Sequence, residues 1–299
     1  MNRAIVAVTS RQEREERMPP RTNPTARQMR LAAELRKMRE RAGMTVREAG
    51  ELLGTGPIQI SHIEAGRIGV SEERLRRLAD NYRCTDGEFV DALTAMATER
   101  VRGWWESYRG ALGSALLDIA ALEWHAHAMR TLEVVHIPGL LQVESHMRAL
   151  FSYARLAVSD HIDELIDFRL RRREVLDRDD PPEYTATIHE AALRMKVGDR
   201  RVAREQLEYI LERSELPGVT VRVIPFAVEG FAGMGDSVIY VTGPLPRLDT
   251  VQIDQVHGSV FLDGEAQLEH YRHRLSAAEQ LALSCEESRD FIHHIAREL

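Results

Sequence analysis

One short segment, residues 57–63, carries side chains of the types that read DNA bases. Gln59 can pair with both N6 and N7 of an adenine, and His62 can bond to an acceptor on guanine. Ile58 can contact the methyl group of a thymine. If the segment begins a helix that enters the major groove, these side chains meet base edges.

Two short amphipathic helices within residues 43–67 are predicted to position these side chains. Thr45 is a suitable N-cap for the first helix, and Glu48 follows at the spacing of a capping box. The second helix begins at Pro57, a residue favoured in the first helical turn. The glycine-flanked turn at 54–56 separates the two, which is the arrangement of a helix-turn-helix.

The expected DNA contacts divide into base contacts and phosphate contacts. The full set is Arg47, Pro57, Ile58, Gln59, Ser61, His62 and Arg67. Gln59 and His62 are the main candidates for reading bases. Arg47, at the start of the first helix, and Arg67, just past the second, suit phosphates. Ordinary solvent exposure is the alternative for each polar residue of this set.

Charge is divided unevenly along the chain. The formal net charge is −7, which by itself argues against DNA binding. Residues 1–83 nevertheless contain 17 Arg and Lys against 11 Asp and Glu, while residues 84–299 contain 23 against 36. Attraction to phosphates requires local positive charge, so the basic part of the chain is the part expected at DNA. A mixed-charge surface sorted by chance is the alternative.

Twelve residues between positions 31 and 82 form a pattern: Leu35, Arg39, Gly43, Thr45, Ala49, Gly54, Ile60, Ser61, Ile63, Glu64, Gly66 and Leu78. On this pattern, residues 31–82 resemble the Cro/cI-like (Xre) family of helix-turn-helix repressors. The resemblance implies a homodimer bound to a pseudo-palindromic operator in double-stranded DNA. It also implies a structural salt bridge between Arg39 and Glu64, so that Glu64 would not read bases.

The remainder of the chain predicts an α+β domain. Strands are expected at 184–188, 219–225, 237–241, 250–255 and 259–262. Helices are expected at 104–129, 143–155, 160–177, 189–212, 264–282 and 286–297. A helical crossover joins the first two strands, which favours a parallel pair. The predicted fold class is an all-α N-terminal helix-turn-helix domain plus an α+β C-terminal domain with a small mixed sheet.

Several segments of this remainder follow one another in a characteristic order. They are residues 137–142, 172–173, 189–193, 205–207, 219–226 and 287–292. In this order they resemble the C-terminal domain of actinobacterial WhiJ-like regulators. The resemblance implies a small protein partner encoded nearby, in an antitoxin-like arrangement, and no agreed catalytic activity.

Domain boundaries follow from these patterns. Residues 1–24 predict a disordered tail, for which a basic arm reaching the minor groove is the alternative. Residues 25–83 are expected to form the DNA-binding domain, and residues 84–103 a helical connector. Residues 104–299 are expected to form an effector, partner-binding or dimerisation domain. The chain is long enough for two domains of ordinary size.

The sequence lacks the signatures of several function classes. It has no run of 18 apolar residues and no signal sequence at its start, which predicts a cytoplasmic protein without membrane contact. Cys84 and Cys285 are expected to be reduced thiols and form no metal motif. His189 begins like a zinc-protease helix, but Leu193 stands where the second histidine must be. No metal, cofactor or enzymatic activity is expected.

Three further features allow two interpretations each. Trp104 and Trp105 can line a ligand pocket or a partner interface, but core packing is the favoured alternative for at least one of them. The arginine run within 169–173 has acidic residues at i,i+4 spacing and predicts a solvated helix face rather than a second DNA patch. The glycine-rich stretch 230–235 is a strand connection or a lid over a ligand.

Taken as a whole, the chain predicts a dimeric, sequence-specific regulator of transcription. Its C-terminal domain would respond to a protein partner or to a small-molecule effector. An antitoxin-like interaction protein, which binds DNA for its own autoregulation, is the alternative. An enzyme with an unrecognised site is a third interpretation.

Overall fold

The computed structural model describes residues 21–99, 103–153, 161–233, 236–255 and 258–299. Parts of several predicted segments lie outside the described residues, namely 1–20, 100–102, 154–155, 160 and 234–235. The chain forms two compact units, residues 1–101 and residues 102–299. Each unit has its own core, so the two are described separately.

Helices form the described part of the N-terminal unit. They are α1 (Ala26–Arg41), α2 (Val46–Leu53), α3 (Pro57–Ile63), α4 (Glu72–Asn81) and α5 (Gly87–Thr98). The all-α prediction for this part of the chain is therefore confirmed. Helices α2 and α3 are the two that the sequence predicts as the helix-turn-helix.

Local sequence signals set where these helices begin. The side chain of Thr25 accepts a hydrogen bond from the backbone N–H of Gln28, and Thr45 accepts one from Glu48 in the same way. In both cases the side chain three residues on reaches back to the N–H of the cap, which completes a capping box. The predicted N-cap of α2 is thus confirmed.

Helix α5 is part of the N-terminal core. Phe89 and Leu93 of this helix are fully buried, together with Leu35 of α1 and Leu75 of α4. The sequence predicts a helical connector at residues 84–103. Helix α5, which lies within that range, packs on α1 and α4. Its apolar stripe is shielded from water only where it contacts these other helices.

The C-terminal unit combines helices with one sheet. Its helices are α6 (Ser114–Trp124), α7 (Glu144–Tyr153), α8 (Ile162–Arg173), α9 (Glu190–Arg194), α10 (Arg200–Arg213), α11 (Glu265–Leu281) and α12 (Cys285–Glu298). Short 3₁₀ turns occur at Trp104–Tyr108, Gly139–Leu141, Glu174–Leu176 and Pro246–Leu248.

The sheet is mixed. Its strands are β1 (Ala128–Glu133), β2 (Glu183–His189), β3 (Val219–Ile224), β4 (Val238–Thr242), β5 (Thr250–Gln255) and β6 (Gly258–Leu262). In the described part of the chain they lie in the order β3-β2-β1-β4-β5-β6. Strands β1, β2 and β3 are parallel, and β4, β5 and β6 join antiparallel. The predicted mixed sheet and the predicted parallel pair, β2 and β3, are confirmed.

Strand β1 occupies the centre of the sheet, although the sequence predicts a helix through Met129. The helix ends at Trp124, and residues from Ala128 pair with β2 on one side and β4 on the other. The helix prediction for residues 125–129 is therefore wrong. Local preference for helix is weak, and pairing with strands far along the chain overrides it.

Helices cover both faces of the sheet. Alternate residues of a strand point to opposite faces. Leu132 of β1 and Tyr240 of β4 share one core cluster with Leu275 of α11. Tyr184 of β2 lies in the other cluster, with Ile210 of α10. The central strands are thus shielded from water on both sides.

The arginine run of α8 is built into the interior, and the prediction of a solvated face is wrong. Arg172 donates from Nε and Nη2 to the carboxylate oxygens of Glu123, at 2.8 and 2.5 Å, and both side chains are buried. Asp163, one of the acidic residues expected to pair within the run, instead pairs with Arg148 of α7. Other arginines of the run lie over aromatic rings, because the planar guanidinium and the aliphatic part of the side chain pack well against a ring.

A buried carboxyl group ends β1. Glu133 is 6% exposed and accepts a hydrogen bond from the Ser237 hydroxyl. Burial raises the pKa of Glu133 from 4.5 to about 8. A carboxyl with a raised pKa keeps its proton to higher pH in the folded chain than in the unfolded chain. The stability of this unit should therefore fall as pH rises from about 4.5 to about 8.

Replacing Glu133 by glutamine is expected to remove this pH dependence. In the wild type the free energy of unfolding falls by at most about 1.4 kcal/mol per pH unit over this range. Because the variant has no such loss, it is expected to be the more stable protein above pH 8. Urea unfolding followed by tryptophan fluorescence measures this, because Trp104, Trp105 and Trp124, the only tryptophans of the chain, all lie in the C-terminal unit. Equal pH profiles for the two proteins would contradict the prediction.

Candidate nucleic-acid interface

Helix α3 turns one face inward and leaves the other open. Ile60 and Ile63 are 1% and 2% exposed and fix the inward face. Ile58 is 71% exposed, and Pro57 and Ser61 are exposed beside it. The open face of α3, formed by these last three residues, therefore carries part of the set predicted to reach base edges.

A buried ion pair joins the end of α3 to α1. The guanidinium of Arg39 donates from Nε and Nη2 to the two carboxylate oxygens of Glu64, at 2.7 and 2.9 Å. Its Nη1 donates to the carbonyl of Met44 at 2.7 Å, and the Arg39 and Glu64 side chains are 9% and 6% exposed. The hydrogen bond to Glu64 raises the pKa of Arg39. The pair keeps Glu64 in the interior and ties α1, the loop before α2 and α3 together.

Two glycines shape the turn between α2 and α3. Gly54 has a φ of +73°, a left-handed conformation that costs other residues more than glycine. A Cβ on Gly50 would lie 2.9 Å from the carbonyl oxygen of Thr55, so a side chain there would push the turn away from α2. These positions set how closely α3 approaches α2.

The carboxamide of Gln59 is oriented by contacts within the protein. The amide nitrogen of Gln59 faces the hydroxyl of Thr55. In this orientation the amide oxygen accepts hydrogen bonds from the Arg74 guanidinium, at 3.0 and 3.2 Å. The second amide N–H stays available for an acceptor such as N7 of a purine. Arg74 is absent from the predicted set, because it lies on α4 and only a contact across the fold connects it to Gln59.

The segment before α1 packs beside the end of α3. The backbone N–H of Arg21 donates to the carbonyl of Arg67 at 2.8 Å, and its guanidinium donates to the carbonyl of Gly66 at 3.4 Å. Residues 21–24, which the sequence assigns to a disordered tail, are thus bound to the turn after α3. Arg21 and Arg67 are both exposed, so this end of the helix carries two exposed arginines.

The two remaining predicted contacts differ in exposure. His62 is half-buried in the last turn of α3. Arg47 is exposed in the first turn of α2, where it pairs with Glu51 at 3.0 Å. An exposed pair of this kind contributes only about 0.3–0.5 kcal/mol. A phosphate can therefore replace Glu51 as the partner of Arg47 at little cost.

Trp104 and Trp105 belong to an aromatic cluster in the C-terminal unit. Trp105 is 7% exposed, and the two rings meet edge to face with their centroids 5.9 Å apart. Trp104 also lies 5.3 Å from Phe168, and the guanidinium of Arg171 is 5.1 Å from its ring centre. The structure therefore shows core packing for these rings, and a role toward a ligand or partner stays a prediction.

Known families match both units. Residues 116–294 match the family described as a domain of unknown function, DUF5753. The chain belongs to the DUF5753 family. Residues 30–93 match the family described as a helix-turn-helix domain. No curated protein and no solved structure matches the chain.

The helix-turn-helix match includes the pair of Arg39 and Glu64 and the whole of α3. It indicates a DNA-binding domain of the kind that regulates transcription. The DUF5753 match runs from α6 to α12 and names no activity. Among the residues that the structure describes, no helix is long and apolar enough to cross a membrane.

Proposed function

We propose that the protein is a sequence-specific regulator of transcription whose α3 enters the major groove of a double-stranded DNA operator. The observation that carries the proposal is the open face of α3, held in place by the buried pair of Arg39 and Glu64. Ile58 presents an apolar group suited to a thymine methyl, and Ser61 presents a hydroxyl. Gln59 adds an amide N–H that is already oriented.

Exposed arginines at both ends of the helix-turn-helix support phosphate contact. Arg47 lies at the start of α2, and Arg67 lies with Arg21 at the end of α3. In this arrangement the arginines hold the DNA backbone while α3 reads the bases. The acidic balance of the rest of the chain then favours an approach of DNA to the N-terminal unit.

The proposal includes a homodimer and an input from the DUF5753 unit. On a two-fold symmetric operator the α3 helices of two copies would lie about 34 Å apart, one turn of DNA. The resemblance of residues 31–82 to Cro/cI-like repressors supports dimeric binding. The resemblance of the C-terminal segments to WhiJ-like regulators supports a small protein partner or a small-molecule effector as the input.

Selection of bound sequences from random DNA duplexes, with the full chain as the binder, tests the proposed function. We expect enrichment of one two-fold symmetric site that binds at least about 10³-fold more tightly than random DNA. If no sequence is enriched even at low salt, the proposed function is wrong.

Gln59→Ala and His62→Ala are expected to weaken binding to the selected site by about 1–3 kcal/mol each, because each removes a contact to a base edge. Binding to random duplexes should change little. Fluorescence anisotropy of labelled duplexes measures both, and Glu88→Ala, on the exposed surface of α5, is the control. Equal losses on selected and random DNA would contradict a base-reading role.

Arg47→Ala and Arg67→Ala are expected to weaken binding to selected and random duplexes alike. Each removes one phosphate contact, so the slope of log affinity against log salt should shrink by about 1 per substitution. Arg36→Ala, which breaks an exposed pair with Glu40 on α1, is the control. A salt slope that does not change would show that these arginines do not contact phosphates.

A further inference from the structure

Two arginines of α8, Arg169 and Arg173, are half-buried in the C-terminal unit and have no counter-charge beside them. Arg169 and Arg173 lie one helical turn apart, on either side of the neutralised pair of Arg172 and Glu123. In the described part of the chain, no carboxylate lies within ion-pair distance of Arg169 or Arg173. Like charges at this spacing repel one another, so the arrangement is unfavourable as it stands.

Both arginines converge on one residue. Arg169 donates to the side-chain oxygen of Gln142 at 3.4 Å, and Arg173 donates to the backbone carbonyl of Gln142 at 3.0 Å. Gln142 is itself buried and donates to the carbonyl of Ile137 at 2.7 Å. The turn after β1 therefore holds the two guanidiniums near a single point.

Most hydrogen-bond donors of these two groups are unused. The guanidinium of Arg169 lies 5.0 Å from the ring centre of Phe151, and that of Arg173 lies 4.4 Å from the ring centre of Tyr209. The Nε atoms of both arginines are buried and have no hydrogen-bond partner among the described residues. Buried donors in folded proteins are nearly always paired, so these two Nε atoms are candidates to bind an acceptor from a ligand.

The carboxylates of Asp254 and Glu123 act on Arg169 only from a distance. Burial and, less strongly, the charge of Arg172 together lower the pKa of Arg169 to about 10, while Asp254 and Glu123 oppose the shift. Both carboxylate oxygens of Glu123 bind Arg172, and Asp254 accepts from the side chains of Gln252 and Ser259. Neither carboxylate lies within ion-pair distance of Arg169.

We propose that Arg169, Arg173 and Gln142 form a binding site for an oxyanion, the carboxylate or phosphate group of a small ligand. A guanidinium presents a flat fork of donors that matches these groups, and aromatic rings already hold both forks in place. Arg169 and Arg173 are half-buried residues, so part of each is open to water and to an approaching anion. The site lies in the DUF5753 unit and does not rest on DNA binding.

Unfolding of the full chain, followed by tryptophan fluorescence, tests the site. Sodium phosphate, sodium acetate and sodium benzoate are compared with sodium chloride at equal ionic strength. We expect phosphate or the two carboxylates to raise the unfolding midpoint above its value in chloride. A response to phosphate alone assigns a phosphate ligand, and a response to acetate or benzoate assigns a carboxylate. No response to any of the three would overturn the proposal.

Variants separate the site from a general salt effect, since phosphate stabilises many proteins by exclusion from their surface. Arg169→Met and Arg173→Met are expected to lose the anion-dependent rise, and calorimetric titration should show at least about tenfold weaker binding. Arg148→Met, which removes an exposed arginine of α7, should respond like the wild type. If all four proteins respond equally, the proposal is wrong.

A folding defect in the variants can be distinguished from loss of the anion site. Arg169→Met keeps the apolar stem and removes a buried charge, so in chloride its midpoint should equal or exceed that of the wild type. A large drop in chloride would instead show that Arg169 has a counter-charge within the protein, which would also overturn the proposal.

Discussion

Replacing Glu123 by alanine is expected to lower the free energy of unfolding of the DUF5753 unit by about 3–5 kcal/mol. The substitution leaves the guanidinium of Arg172 buried and removes both of the hydrogen bonds that Glu123 accepts from it. Removal of one partner of a buried pair costs more than the pair contributes, because the remaining charge is uncompensated. Tryptophan fluorescence during urea unfolding reports this unit alone.

The matched control is Glu144→Ala, which breaks an exposed pair with Arg148 in the same unit. We expect it to change stability by at most about 0.5 kcal/mol. A double variant, Glu123→Leu with Arg172→Met, removes both charges and should recover most of the loss. A loss of under about 1 kcal/mol in Glu123→Ala would show that water reaches Arg172 and that the pair is not structural.

Replacing Glu64 by alanine is expected to destabilise the N-terminal unit by about 3–5 kcal/mol and to abolish DNA binding. Glu64 neutralises the buried guanidinium of Arg39, which in turn holds the loop at Met44. The free energy of unfolding of a typical domain is about 5–15 kcal/mol, so a loss of this size removes much of it. Because this unit has no tryptophan, amide hydrogen exchange in α1 and α3 is the measurement.

Asp91→Ala is the control for this experiment, since it breaks an exposed pair with Arg76 in the same unit. Its exchange rates and DNA affinity should stay close to those of the wild type. If α3 exchanges no faster in Glu64→Ala than in Asp91→Ala, the buried pair does not position α3, and the proposed role of the open face loses its support.

Short-range interactions made much of the N-terminal unit predictable. Thr45 and Glu48 stand three positions apart and specify the start of α2 by themselves. Ile60 and Ile63 recur at helical spacing, so the inward face of α3 and the residues left on its open face could be predicted together. For these elements the sequence window that determines the structure is only a few residues wide.

Contacts between distant parts of the chain could not be predicted in this way. The residues of α8 offered acidic partners within one turn, yet Arg172 pairs with Glu123, 49 positions away, because that face of α8 is buried. Arg74 reaches Gln59 from another helix. Strand β1 becomes a strand only because β2 and β4 flank it. In each case the deciding partner arrives from elsewhere in the fold.

The central position of β1 also sets an order of folding during synthesis. Arg130 of β1 pairs with Glu279 of α11, 149 positions later, and the last helix, α12, packs on β3. The DUF5753 unit cannot complete its core until nearly the whole chain has been made. In the N-terminal unit, in contrast, the buried pair of Arg39 and Glu64 spans only 25 positions, and the last described helix of the unit, α5, ends at Thr98. The DNA-binding unit is therefore expected to be folded on the ribosome while the unit proposed to regulate it is still incomplete.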